Sequence, residues 1–216
     1  MRSMGNFYVN VTLKGPDRSD IAEYLQRMGC KAYLTPAVDS VTTLCEEQCD
    51  SQDGTVISRI TQDLSGYFHD AALAVVNHDD DVLAYVLYDK GERHHAYNSS
   101  PWYFDGAQLG GDFDLPEDQI TSQSGDRNVG PELPAGGDAE ALVRLLGNAA
   151  NLAAVNQVLS GGADAFAFAV ERHEALLKAL GLPDHALCFG YRYLSRGEAP
   201  PGMTEDSILK VGGASD

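Results

Sequence analysis

The stretch 71–104, AALAVVNHDDDVLAYVLYDKGERHHAYNSSPWYF, constrains the fold more than any other part of the chain. Two apolar runs meet across His78, Asp79, Asp80 and Asp81, and a third run follows the cluster Asp89, Lys90, Gly91 and Glu92. Short β-type runs separated by aspartate and glycine read as antiparallel strands joined by tight turns. The spacing therefore predicts a β-meander with strands over 71–76, 82–88 and 94–98. Its first turn carries a histidine and three carboxylates, a composition that suits either a solvated bend or a cation site.

Upstream, FYVNVTL at 7–13 alternates apolar and polar residues, the period of a half-buried strand. Lys14-Gly15-Pro16 ends it, and Ile21, Tyr24, Leu25 and Met28 then recur at helical spacing before Gly29. Strands at 32–34 and 41–45 are expected to pair as a hairpin. The cluster 50–53 caps an amphipathic helix through Val56, Ile57, Ile60, Leu64 and Phe68. This order is similar to that of the split βαβ, or ferredoxin-like, sandwich, in which two helices cover one face of an antiparallel sheet. The expected class is α+β: an antiparallel sheet in βαββαβ order, extended by the meander and followed by a C-terminal helical part.

Three parts are expected. Residues 5–104 form the α+β sandwich, 105–137 an acidic loop or linker rich in proline and glycine, and 138–216 a helical part packed on the sheet domain. Asp138 caps the first of these helices, a second runs through Leu152, Val155, Val158 and Leu159, and a third covers 164–180 before Gly181. Residues 185–195 fit a helix through Leu187, Tyr191 and Leu194, or a strand through Leu187, Phe189, Tyr191 and Tyr193; helix is preferred. Residues 196–216 read as a surface tail.

A net charge of −17 repels nucleic acid and anionic lipid and favours basic partners. The charge is uneven: counted from the sequence, 106–140 holds 8 acids and 1 base, whereas 141–216 holds 8 acids and 6 bases. No run approaches the roughly 20 apolar residues of a membrane-spanning helix. MRSMGNFYVNV carries no signal-peptide core, so a soluble cytoplasmic protein is expected, with Cys30, Cys45, Cys49 and Cys188 as thiols.

His78, Asp80, His94 and His95 form the candidate divalent-metal set, because imidazole and carboxylate donors lie on neighbouring strands. The turn and the His94-His95 pair flank opposite ends of one strand, however, roughly 20 Å apart at strand rise. Cys45 and Cys49 have no second half to complete a zinc site, and 50–62 lacks the acids of a calcium loop. Nucleophile-elbow, phosphate-loop, dinucleotide and H-E-x-x-H motifs are absent. Arg172 and His173 sit between Glu171 and Glu174 on what reads as a solvated helix face. Trp102 and Tyr103 form either a hydrophobic plug or a partner anchor.

The favoured expectation is a non-enzymatic macromolecule-binding or regulatory protein, without a cofactor, that meets a basic protein. Its binding residues would be Asp79, Asp80, Asp81, Trp102, Tyr103, Arg172 and His173, together with the acidic 106–140 segment. The alternative is a metal-dependent or small-ligand-binding enzyme with a site between the sheet and the C-terminal helices, where His78, Asp80, His94, His95 and His173 would act.

Overall fold

Strand β1 (Tyr8–Lys14) lies inside an antiparallel sheet with helices on both faces, and its alternation decides how the two layers attach. The computed structural model describes residues 5–101, 103, 109–115, 133–147, 152–162, 164–200 and 202–212. Among them, β2 (Ala32–Leu34), β3 (Val41–Glu46), β4 (Ala71–His78), β5 (Val82–Asp89), β6 (Glu92–Asn98), β7 (Ala135–Gly136) and β8 (Leu209–Val211) complete the sheet. The strand order is β7-β6-β5-β4-β1-β3-β2-β8, with antiparallel neighbours throughout. The fold is thus mixed α and β, built on eight antiparallel strands and six helices among the described residues.

Helices α1 (Arg18–Arg27) and α2 (Gly54–Phe68) cover one face, where Ile21, Leu25, Ile57 and Leu64 meet Val9, Val11, Leu13, Ala74 and Val86. Asp53 caps α2, its Oδ1 accepting from Thr55 N at 2.8 Å. Helices α3 (Ala139–Leu145), α4 (Leu152–Ser160) and α5 (Ala169–Leu180) cover the other face, packing Leu142, Val155, Leu176 and Leu180 on Leu73, Val75, Leu83 and Leu87. A strand covered on both sides has no solvent face to mark with polar residues, which accounts for the nearly unbroken apolar runs of β4 and β5. No described helix is long and apolar enough to cross a membrane.

β1 departs from the expected half-buried strand. Val9, Val11 and Leu13 enter the first core, but Tyr8, Asn10 and Thr12 are buried as well. This polar column fastens the second layer. Tyr8 OH pairs with His173 Nδ1 at 2.8 Å, and Asn10 Nδ2 donates to the carbonyls of Ala186 and Phe189 at 2.8 and 3.0 Å. Thr12 and Thr43 hydroxyls meet at 3.0 Å, and Lys14 Nζ donates to Leu146 and Gly147 carbonyls at the end of α3. Each such group left unpaired in the interior would cost about 1–3 kcal/mol, so the seam has one favoured register.

Three further expectations are corrected. The 185–195 segment is neither one helix nor a strand: a 3₁₀ turn at Asp184–Ala186 precedes α6 (Tyr191–Leu194), and Cys188 between them takes φ 55°. Gly190 immediately precedes α6 where β1 passes closely, since a Cβ there would stand 2.7 Å from Tyr8 Cβ. The 196–216 tail contributes β8, which pairs with β2 from Ala32↔Val211 to Leu34↔Leu209. The last long helix starts at Ala169 rather than 164, and its Arg172 and His173, 4% and 1% exposed, face the protein interior instead of water.

Burial lowers the pKa of His95 to about 4 and that of His173 to about 3, against 6.5 for an unhindered imidazole. The unfolded chain therefore binds these protons first. The stability the neutral rings preserve is complete above pH about 6.5 and falls as pH drops toward the folded values. Urea denaturation is expected to lose about 3–4 kcal/mol between pH 7 and pH 5 from these two groups together. His173→Gln and His95→Gln should each remove roughly half of that slope; an unaltered slope in both variants would contradict the assignment.

Candidate functional site

The end of the sheet where β4 turns into β5 gathers the largest share of the residues singled out by sequence. His78 pairs with Val82, and Asp79 and Asp80 take φ 54° and 61° in the three-residue turn between them. Two consecutive non-glycine residues in the left-handed region need outside support, and Asp80 supplies it. Its Oδ2 accepts from Asn6 Nδ2 at 2.8 Å and its Oδ1 from Asn77 Nδ2 at 3.1 Å. Its N–H reaches Asn77 Oδ1 and the Asn6 carbonyl, both at 3.1 Å, and its carbonyl accepts the Ala169 N–H at 2.7 Å. Gly5 is required beside the turn, because a Cβ there would lie 2.0 Å from the Asp79 carbonyl oxygen. Asp80 thus ties the turn to the start of β1 and to the first residue of α5.

Beside this anchor runs a row of aromatic rings in contact. Tyr103 meets His78 edge-on at 5.7 Å between centroids, His78 meets Phe7 at 4.9 Å, and the Arg192 guanidinium lies 4.6 Å over the Phe7 ring. Carboxylates close both ends: Tyr103 OH donates to Asp81 Oδ2 at 3.0 Å, and Arg192 Nε donates to Asp50 Oδ2 at 3.1 Å. Asp79, Asp81 and Tyr103 are exposed, while Phe7, His78, Asp50 and Arg192 are half-buried. Phe168, 54% exposed, stands next to Ala169, the residue bound by the Asp80 carbonyl.

Local chemistry fixes the row's protonation. Gln52 Nε2 donates to the Asn77 carbonyl at 2.9 Å, which turns Gln52 Oε1 toward His78 Nδ1 at 2.6 Å; the hydrogen sits on Nδ1. Burial lowers the His78 pKa, while Asp79 and Asp81 pull it the other way. The hydrogen bond to Asp81 raises that of the Tyr103 phenol. Cys188 approaches Asn6 Oδ1 at 3.6 Å, and its thiol is pushed up by burial and by Asp80, so it stays protonated at neutral pH.

The other predicted residues lie elsewhere. His94 and His95 sit on β6, where His95 faces Leu87, five positions along β5 from the partner of His78, or roughly 17 Å at strand rise. The set His78, Asp80, His94 and His95 does not come together. Among the described residues no group of three or more His, Cys, Asp or Glu side chains converges as a ligand set. His95 instead meets the Tyr85 ring edge-on at 5.5 Å, and His94 faces Asp89 at 3.9 Å. Arg172 donates to Tyr97 OH and to the Val158 carbonyl at 2.8 Å, reaches the Gly162 carbonyl at 3.4 Å, and stacks over Phe166 at 4.6 Å. It neutralises the carbonyl-rich end of α4. Trp102 and the middle of the acidic segment, 116–132, lie outside the described residues.

Sequence reasoning missed Asn6, Phe7, Asp50, Gln52 and Arg192. Phe7 was visible only as the first residue of an alternating run. Nothing local joins Arg192 to Asp50, a contact that spans 142 positions.

Asp80→Ala removes the acceptor for two amide side chains, so a loss of about 2–3 kcal/mol in folding stability is expected. Asp79→Ala, at an exposed position without those bonds, should cost less than about 1 kcal/mol. Thermal or urea denaturation of the pair checks this, and equal losses would remove the anchoring role from Asp80. Arg172→Ala, which strips the Tyr97 hydroxyl and the end of α4 of their donor, is expected to cost about 2–4 kcal/mol in the same measurement.

No family model matches the chain, and no curated protein or solved structure shows significant similarity to it.

Proposed function

We propose that this is a binding protein that receives a basic segment of another protein on the turn end of the sheet. The observation that carries the reading is the row Tyr103, His78, Phe7 with a carboxylate at each end and a guanidinium already resident on one ring. Aromatic faces attract cations through their quadrupoles, and carboxylates beside them supply charge and direction. Asp79 and Asp81 project into water at the same place, within a chain of net charge −17, so a cationic partner is drawn in over a distance of about a Debye length. Tyrosine and arginine at such a surface are the residue types that dominate binding energy. The same charge disfavours nucleic acid as the partner.

Two companion readings go with it. The central strands β4-β1-β3-β2, with α1 and α2 on one face, support a split βαβ, ferredoxin-like unit extended by β5 to β7 and by β8. The four cysteines, all thiols, suit work in the reducing cytoplasm.

A labelled peptide of alternating alanine with lysine or arginine serves as the probe. Anisotropy titrations are expected to show affinity falling at least about tenfold between about 0.05 M and 0.5 M salt. The double variant Asp79→Asn/Asp81→Asn and the single variant Tyr103→Ala should each weaken binding by about tenfold, or about 1.4 kcal/mol. Binding indifferent to salt and to all three substitutions would remove the reading.

A further inference from the structure

We infer that the partner presents arginine to this surface and that Arg192 is an internal stand-in for it, occupying the Phe7 face until the partner's guanidinium displaces it. The inference rests on the binding reading above and specifies its chemistry. Arg192 makes three polar contacts with Asp50: Nε to Oδ2 at 3.1 Å, Nη2 to the carbonyl at 3.4 Å, and its own backbone N–H to Oδ1 at 3.4 Å. With the guanidinium 4.6 Å above the Phe7 ring, this is the geometry by which a planar, delocalised cation is recognised. A lysine ammonium would keep the charge over the ring and lose the pair of directed donors that reach Asp50 Oδ2 and the Asp50 carbonyl. The site therefore favours arginine over lysine.

The resident is placed to leave. Arg192 lies on α6, a helix of four residues, and its side chain and that of Asp50 are 36% and 21% exposed. A half-solvated pair of this kind is a weak restraint. What holds the segment independently is adjacent: Tyr193 OH accepts the Phe7 N–H at 2.8 Å, Asn10 holds the Phe189 carbonyl, and Phe189 and Leu194 are buried against Cys45. The Arg192 side chain can thus swing away while the α6 backbone stays in place. Its departure bares the Phe7 ring and Asp50 Oδ2 together, at the opposite end of the row from Asp81, while Oδ1 keeps the Arg192 backbone N–H.

Fluorescein-labelled octa-arginine and octa-lysine separate this inference from the reading beneath it. In full-length protein, Arg192→Ala is expected to bind octa-arginine about tenfold tighter than the wild type, while octa-lysine gains less than about threefold from the change in net charge. Arg192→Ala/Phe7→Leu should lose the arginine preference. Arg192→Gln, which keeps the aliphatic stem, gives the same comparison should Arg192→Ala fail to fold. Equal gains for both peptides, or weaker octa-arginine binding, would overturn the stand-in role while leaving the acidic surface intact. If Asp79→Asn/Asp81→Asn leaves both peptides bound as tightly as before, the binding surface itself falls, and this inference with it.

Discussion

The second helical layer depends on the buried polar side of β1. Tyr8, Asn10, Thr12 and Lys14 project in succession toward residues that arrive more than a hundred positions later, except for the neighbouring Thr43. Apolar burial between this face and α3 to α5 supplies affinity without direction, because leucine packs on valine in many registers. The polar column supplies the direction. A carbonyl of Ala186 slipped by one residue leaves the Asn10 amide unsatisfied in the interior, at a cost of about 1–3 kcal/mol.

The same column explains what was legible in the sequence and what was not. Among residues 8–98, β1, α1 and α2 follow from periods of 2 and 3.6, and β4 and β5 from apolar runs bounded by turn residues. The destination of the polar face of β1 is not recorded. FYVNVTL looks the same whether Asn10 meets water or the carbonyls of Ala186 and Phe189. Arg172 and His173 were misjudged for a related reason: flanked by glutamates, they read as solvated, yet α5 rolls that face inward, where Tyr97 and Tyr8 receive them. β8, three residues long, is too short to carry a period. Cys188 in a left-handed conformation interrupts a segment whose pattern fits a helix, the preferred reading, as well as a strand.

At the turn, composition identified the acids but not their division of labour. Asp79, Asp80 and Asp81 are alike on paper, and the fold makes one of them a bracket and leaves two in water. The ring row beside them draws on residues 7, 78, 103 and 192, so it exists only once β1, β4 and α6 are assembled. No linear motif could have announced it.

The bond from the Ala169 N–H to the Asp80 carbonyl joins the hairpin tip to the leading residue of α5. Helix ends and loop tips ordinarily open as separate fluctuations of low free energy. Here a 2.7 Å contact couples them: loosening of the hairpin removes the acceptor of the Ala169 N–H and so favours fraying at the start of α5. Anything that clamps the tip thereby quiets amide exchange in the first turn of a helix on the far layer of the sheet.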